Sequence, residues 1–197
     1  MAMTTRTRTQ LDQVADDFVD SIVRLSPITA TGIGAPGHDH ELDDFSPAGL
    51  AERAEAARAA LRQVEAAEVV DDVDRVTAAA MRERLGLSVE LFEAGEDYAD
   101  LNNIASPLQN IRDVFDLMPT ATTDHWEIIA ARMGAVPAAV DGYIESLRLA
   151  VADGPAPALR QVEIGITQAE ELAGDASFWT TFAASAEAPE ALAAELD

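Results

Sequence analysis

Two imidazoles and four carboxylates fall within seven positions at His38-Asp39-His40-Glu41-Leu42-Asp43-Asp44, the densest group of ionisable side chains in the chain. Imidazole nitrogen and carboxylate oxygen are both ligands for a divalent cation, so the cluster has the chemistry to chelate one. It also has a plainer use. Glycines and a proline precede it and Ser46-Pro47 follows, which makes it a surface loop, and acids ahead of a helix favour the positive end of the helix dipole. The loop reading is the commoner one for a bare cluster. A second group is neutral: Asn103, Ser106 and Gln109, with Asn102 beside them, at the entry to a helix. Amides and hydroxyls of this kind bond a peptide backbone, or they cap and turn their own chain. The Ser106-Pro107 step favours capping. His38, His40, Asn103, Ser106 and Gln109 are the residues from which contact with a polar ligand is expected. His125, beside Trp126 at a helix start, is a weaker acid–base candidate. No residue is assigned as catalytic or as a metal ligand.

Several chemistries are excluded by residue type. The chain has no cysteine, so disulfides, thiolate nucleophiles and cysteine-ligated zinc are out. Every one of its 13 bases is arginine, so no phosphate loop built on Gly-x-x-x-x-Gly-Lys exists. There is no Gly-x-Ser-x-Gly elbow. His40-Glu41 is the one His-Glu pair, and its third and fourth followers are Asp43 and Asp44, so Asp44 stands where His-Glu-x-x-His needs its second histidine.

Against the 13 bases stand 36 acids, for a net charge of -23. That surface repels phosphate backbones and anionic membranes, so neither nucleic acid nor membrane is an expected partner. The N-terminus MAMTTRTRTQ has no apolar core of a signal peptide, and no apolar run reaches membrane-spanning length. A cytoplasmic location is the expectation that follows.

The elements that must position these residues are helices. Leu11, Val14, Phe18, Ile22 and Leu25 recur at helical spacing over Thr9–Leu25, and Ser26-Pro27 closes that stretch. Residues 1–9 read as a disordered N-terminus and 10–197 as a single helical domain. Pro27–Gly32 makes one short turn. Ser46-Pro47 opens a helix to about Val69 with Leu50, Ala54, Ala57, Leu61 and Val64 inward. A third helix, capped at Asp71 or Asp72, runs to about Gly95. It carries two apolar stripes, Val76/Ala80/Leu87/Leu91 and Met81/Leu85/Val89/Phe92, which implies more than one neighbour. Ser106-Pro107 opens a short helix to Leu117. From Asp124, read as the cap with Glu127, to Gly154, the spacing of Trp126, Ile129, Met133, Val140, Ile144, Leu147 and Val151 predicts two helical pieces joined at a kink or short break near Gly134 and Pro137. Pro157 restarts a helix with Leu159, Val162, Ile166 and Ala169, ended by Gly174. No strand alternation is present. The fold class is all-α, an irregular bundle of about seven helices with one long kinked pair and no sheet. Alanine supplies much of the apolar content, so close helix packing is expected. Phe178, Trp179 and Phe182 near the C-terminus are expected to stay exposed and to form an apolar patch able to drive self-association.

Three segments, HDHELDDFSP at His38–Pro47, NNIASPLQNIRDVFDLMP at Asn102–Pro119 and the Asp124–Gly154 stretch, resemble in sequence and order the N-terminal portion of the bacterial domain of unknown function 885 family. The family is regarded as zinc metallopeptidases of the gluzincin kind. Its pattern Gly-Asp-Leu-Asp-Asp-Ser-Pro resembles the stretch that ends at Pro47. The resemblance implies an N-terminal helical domain or fragment of a longer metallopeptidase-like protein, packed beside a catalytic part. Zinc, its His-Glu…His helix and a peptide substrate are implied for that part, and no position here matches them. The chain alone is expected to hold no cofactor and to be inactive. A free-standing helical interaction module is the alternative.

Overall fold

The computed structural model describes residues 6–186. Eight α-helices and two short 3-10 turns make up the described residues, with no strand among them. Helix α1 (Gln10–Leu25), α2 (Pro27–Ile33), α3 (Pro47–Ala66) and α4 (Asp72–Glu93) form the first half; α5 (Pro107–Asp113), α6 (Thr123–Asp153), α7 (Leu159–Ala173) and α8 (Phe178–Ala184) form the second. The 3-10 turns lie at Glu96–Ala99 and Val114–Leu117.

Serine and threonine side chains set most helix starts. Thr9 caps α1 and receives a reciprocal bond from Asp12. Ser26 and Ser46 cap α2 and α3, each with proline at the first helical position. Such a step satisfies a free backbone N–H and fixes φ at once. Gly34 ends α2 at φ +73°, a conformation that favours glycine. α6 is capped by Thr122, two residues ahead of the expected Asp124, and its hydroxyl accepts from the His125 N–H.

The expected disorder over residues 1–9 lies partly outside the described residues and is corrected from Arg6 onward. The Arg6 guanidinium pairs with Asp12, Asp71 and Asp74. Asp74 is wholly buried and also accepts from the Thr9 hydroxyl at 2.7 Å and the Val70 N–H at 2.9 Å. One carboxylate thus joins the chain ahead of α1 to the cap of α4.

Small residues let α1, α3 and α4 approach closely. Leu11, Val14, Val64 and Ala78 form one cluster, and Ala57, Ala60 and Leu85 form the next. The two stripes of α4 have different fates. Met81, Leu85, Val89 and Phe92 turn inward, whereas Val76, Leu87 and Leu91 are exposed. The helix has more than one neighbour, as the breadth of its apolar surface implies: α1 and α3 both pack on its inward side.

The two pieces read between Asp124 and Gly154 are one helix of 31 residues with Pro137 inside it. Its inward face also changes along its length. Trp126 and Ile129 are buried as the apolar spacing implies, but beyond Pro137 the buried residues are Ala139, Gly142, Tyr143, Ser146 and Ala150, while Val140, Ile144 and Val151 face solvent. Backbone proximity is the reason. A Cβ on Gly142 would stand 2.9 Å from the Ser46 nitrogen, and the Ser146 hydroxyl donates to the Phe45 carbonyl at 2.6 Å. Only small side chains admit that approach.

The C-terminal aromatics correct the expectation of an exposed patch there. Phe178, Trp179 and Phe182 are half-buried and pack on Phe115 and Trp126. Trp179 meets Phe115 edge-on at 5.3 Å and Phe182 lies 5.2 Å from Trp126. No described helix is long and apolar enough to cross a membrane.

Candidate functional site

The His38–Asp44 loop is folded around Arg132. This arginine, in the middle of α6, is wholly buried. Its Nε donates to the Glu41 carbonyl at 2.9 Å, and its Nη2 donates to the His38 carbonyl at 3.0 Å and to the Thr31 hydroxyl at 2.9 Å. Thr31 in turn donates to Asp39 at 2.8 Å. Burial lowers the Arg132 pKa, and the charges of Asp39, Asp43 and Glu41 oppose that effect. The two imidazoles meet at one carboxylate: His38 Nδ1 lies 3.3 Å and His40 Nε2 3.2 Å from the two Glu41 oxygens. The donor set does not fit zinc. Among the described residues no three His, Asp or Glu side chains converge to hold a metal.

The neutral patch is closed on itself. The Ser106 N–H and hydroxyl both donate to the Gln109 side-chain oxygen, at 2.8 and 2.7 Å. The Gln109 amide donates to the Asn102 carbonyl at 3.0 Å and to Gln168 of α7 at 2.8 Å. Gln161 of α7 accepts from the Asn103 N–H at 2.8 Å. These amides seat α7, whose Leu159 and Ile166, expected inward, are exposed. The sequence reading followed apolar spacing and missed Gln161 and Gln168. Buried Tyr143 closes the far side by donating to the Asp100 carbonyl at 2.6 Å; burial pushes its hydroxyl up to about 12.

A cavity of about 310 Å³ lies between these two structures. It is assembled from six places in the chain: Ser26 and Ile28 at the start of α2, Asp43 and Phe45 in the loop, Leu50 and Arg53 on α3, Ser88 on α4, Asp97 and Asp100 after α4, and Asn110 on α5. Asp43 is nine-tenths buried and fully engaged. It accepts from the Ser26 hydroxyl at 2.6 Å, the Ile28 N–H at 2.9 Å and Arg53 Nη1 at 3.2 Å. Arg53 Nη2 donates to the Asp44 carbonyl at 3.1 Å. Its Nε is buried and has no partner among the described residues. Burial raises the carboxyl of Asp97; the Arg53 charge opposes this and the Glu96 charge adds to it. Burial raises that of Asp100 also, with Asn102 opposing and Asp97 adding. None of the residues from which ligand contact is expected lines this cavity; Asp43 of the acidic loop does, and Ser26, Leu50, Ala54 and Pro107 do so from positions read as helix starts or inward faces. Arg53, Asp97, Asp100 and Asn110 are separated along the chain, and no chemical motif joins them.

The chain matches the family described as bacterial proteins of unknown function, DUF885, over residues 27–197. It belongs to that family. No curated protein matches the chain.

Proposed function

We propose that this chain is the helical, non-catalytic N-terminal part of a metallopeptidase-like protein, holding ligand and packing beside a catalytic part that carries the zinc. The observation that carries the reading is how its polar candidates are used. His38 and His40 bond one carboxylate, and Asn103, Ser106 and Gln109 hold α7 in place. Each is engaged in holding the chain's own fold and none lines the cavity, which leaves that cavity as the place for a ligand. The resemblance of three segments to the N-terminal portion of the family supports the larger assignment. The purified chain, supplied with zinc and a mixed peptide library, is expected to show no turnover. Hydrolysis that is lost on a point substitution in this chain overturns the proposal.

One observation favours a free-standing interaction module instead. Val73, Val76, Leu87 and Leu91 place an exposed apolar stripe on α4. A concentration-dependent dimer that is lost on Leu87→Glu supports that second reading.

A further inference from the structure

A second cavity, of about 370 Å³, lies between α5, α6, α7 and α8, and it shares no lining residue with the cavity beside Arg53. The seating of α7 creates it. Gly165, the buried residue of that helix, approaches so closely that an added Cβ would stand 3.2 Å from Leu101 and 3.7 Å from Leu108. Gln161 and Gln168, one turn to either side, are bonded to Asn103 and Gln109. Beyond this anchor α7 brings Ala169, Leu172 and Ala173 to the cavity, and α6 brings Val136, Val140 and Tyr143. Alanine does not reach across, so the gap stays open. Ala169, Ala173 and Val140 are exposed although each stands in a wall between helices. Such a gap forfeits the dispersion contacts of a close-packed interior.

The walls offer no polar contact to a ligand. No described residue lining the cavity carries a charge, and its one hydroxyl, on Tyr143, donates to the Asp100 carbonyl. A cavity of that kind takes apolar molecules; about 150 Å³ suffices for benzene, so this one admits a longer occupant. Its α6 wall, from Val136 to Tyr143, extends about 10 Å at the helical rise. A protein helix, roughly 10–12 Å across with its side chains, does not fit. Beyond Leu108 and Leu172, which line both spaces, lies a polar cleft walled by Asp113 and Glu171, where Arg112 is already paired with Asp113 and Asp116. On a chain of net charge -23 that cleft disfavours an anionic head group. We infer that this cavity binds a medium-chain alkyl compound with an uncharged polar head, the chain between the α6 and α7 walls and the head at the cleft beyond Leu172. The inference goes beyond the proposed function and does not depend on it.

Trp179 lines the cavity and Trp126 does not, so indole fluorescence reads its occupancy. The full chain is titrated with ω-bromo-octanol, whose bromine quenches an indole that it touches. Saturable quenching is expected, and Trp179→Phe is expected to remove it. Bromopropanol, which is five methylenes shorter, and ω-bromo-octanoate, which is anionic, are expected to bind at least about tenfold more weakly. Ala169→Leu and Ala173→Leu fill the gap from exposed helix positions that favour leucine. Each is expected to weaken ω-bromo-octanol at least about tenfold, the scale of two methylenes kept out of the cavity, with helicity unchanged. Quenching that never saturates, that bromopropanol matches, or that neither leucine variant alters overturns the inference. Equal binding of ω-bromo-octanoate overturns the uncharged head. A dimer in sedimentation that either leucine variant dissolves also overturns it, since a second copy then closes the gap.

Discussion

Arg132 and Arg53 both carry a charge into the protein, and each leaves one buried nitrogen without a partner. They differ in what surrounds them. Arg132 is wholly buried and bonds two carbonyls and a hydroxyl of the His38–Glu41 region, which fixes the loop as structure. It lies outside the cavity wall. The Arg53 side chain is 24% exposed and lines a cavity with two aspartates that no cation pairs among the described residues. The sequence concentrates its ionisable residues around the first arginine, whereas the structure sets a cavity beside the second. Density of chemical groups along a chain therefore marks a site only where those groups remain unsatisfied after folding.

The largest expected effect comes from removing the structural cation. Arg132→Met leaves two carbonyls and a hydroxyl without their donor in a buried place, and is expected to lower stability by about 3 kcal/mol in urea unfolding. Arg53→Met removes a partly exposed pair and is expected to cost about 1 kcal/mol. The reverse order breaks the comparison. Next is Gly142→Ala, which sets a methyl 2.9 Å from the Ser46 nitrogen. It is expected to cost about 2 kcal/mol, because backbone, not a flexible side-chain end, must shift. Denaturant midpoints measure both.

Those two sites also show what the sequence revealed. Helix starts were legible because Ser26-Pro27, Ser46-Pro47 and Ser106-Pro107 combine a capping hydroxyl with a fixed φ, a purely local effect. The inward face of α6 beyond Pro137 was not legible. Apolar spacing selects Val140, Ile144 and Val151, but the approach of residues 45–46 selects Gly142 and Ser146 by size. α7 was misread for a related reason, since its seating depends on Gln161 and Gln168 reaching amides some sixty positions earlier. The cavity was hidden most fully. Asp43, Arg53, Asp97 and Asn110 share no period and no motif, and only the tertiary fold brings them together.

Smaller effects sharpen the contrast. Gln109→Ala removes the bonds that join the Ser106 turn to α7 and is expected to cost about 1 kcal/mol. His38→Ala and His40→Ala, at the partly exposed Glu41 carboxylate, are expected to stay within about 0.5 kcal/mol.

The smallest effects are in pH. Tyr143, raised to about 12 by burial, stays protonated in the folded chain above the ordinary tyrosine value, so its share of stability is lost as pH rises between the two. Ultraviolet titration is expected to show one of the two tyrosines ionising near the alkaline end. Asp97 and Asp100 have folded values raised by burial, so the folded state binds protons more readily than the unfolded chain. Stability is therefore expected to rise as pH falls from those raised values into the ordinary carboxylate range. Asp97→Asn is expected to flatten that rise, read from melting temperature against pH.

The comparison between the two arginines is tested most directly by the urea midpoints of Arg132→Met and Arg53→Met measured side by side. Arg132→Met, which strips the donor from two buried carbonyls and a hydroxyl, is expected to lose about 3 kcal/mol, and Arg53→Met about 1 kcal/mol. An equal loss, or the larger loss at Arg53, contradicts the account.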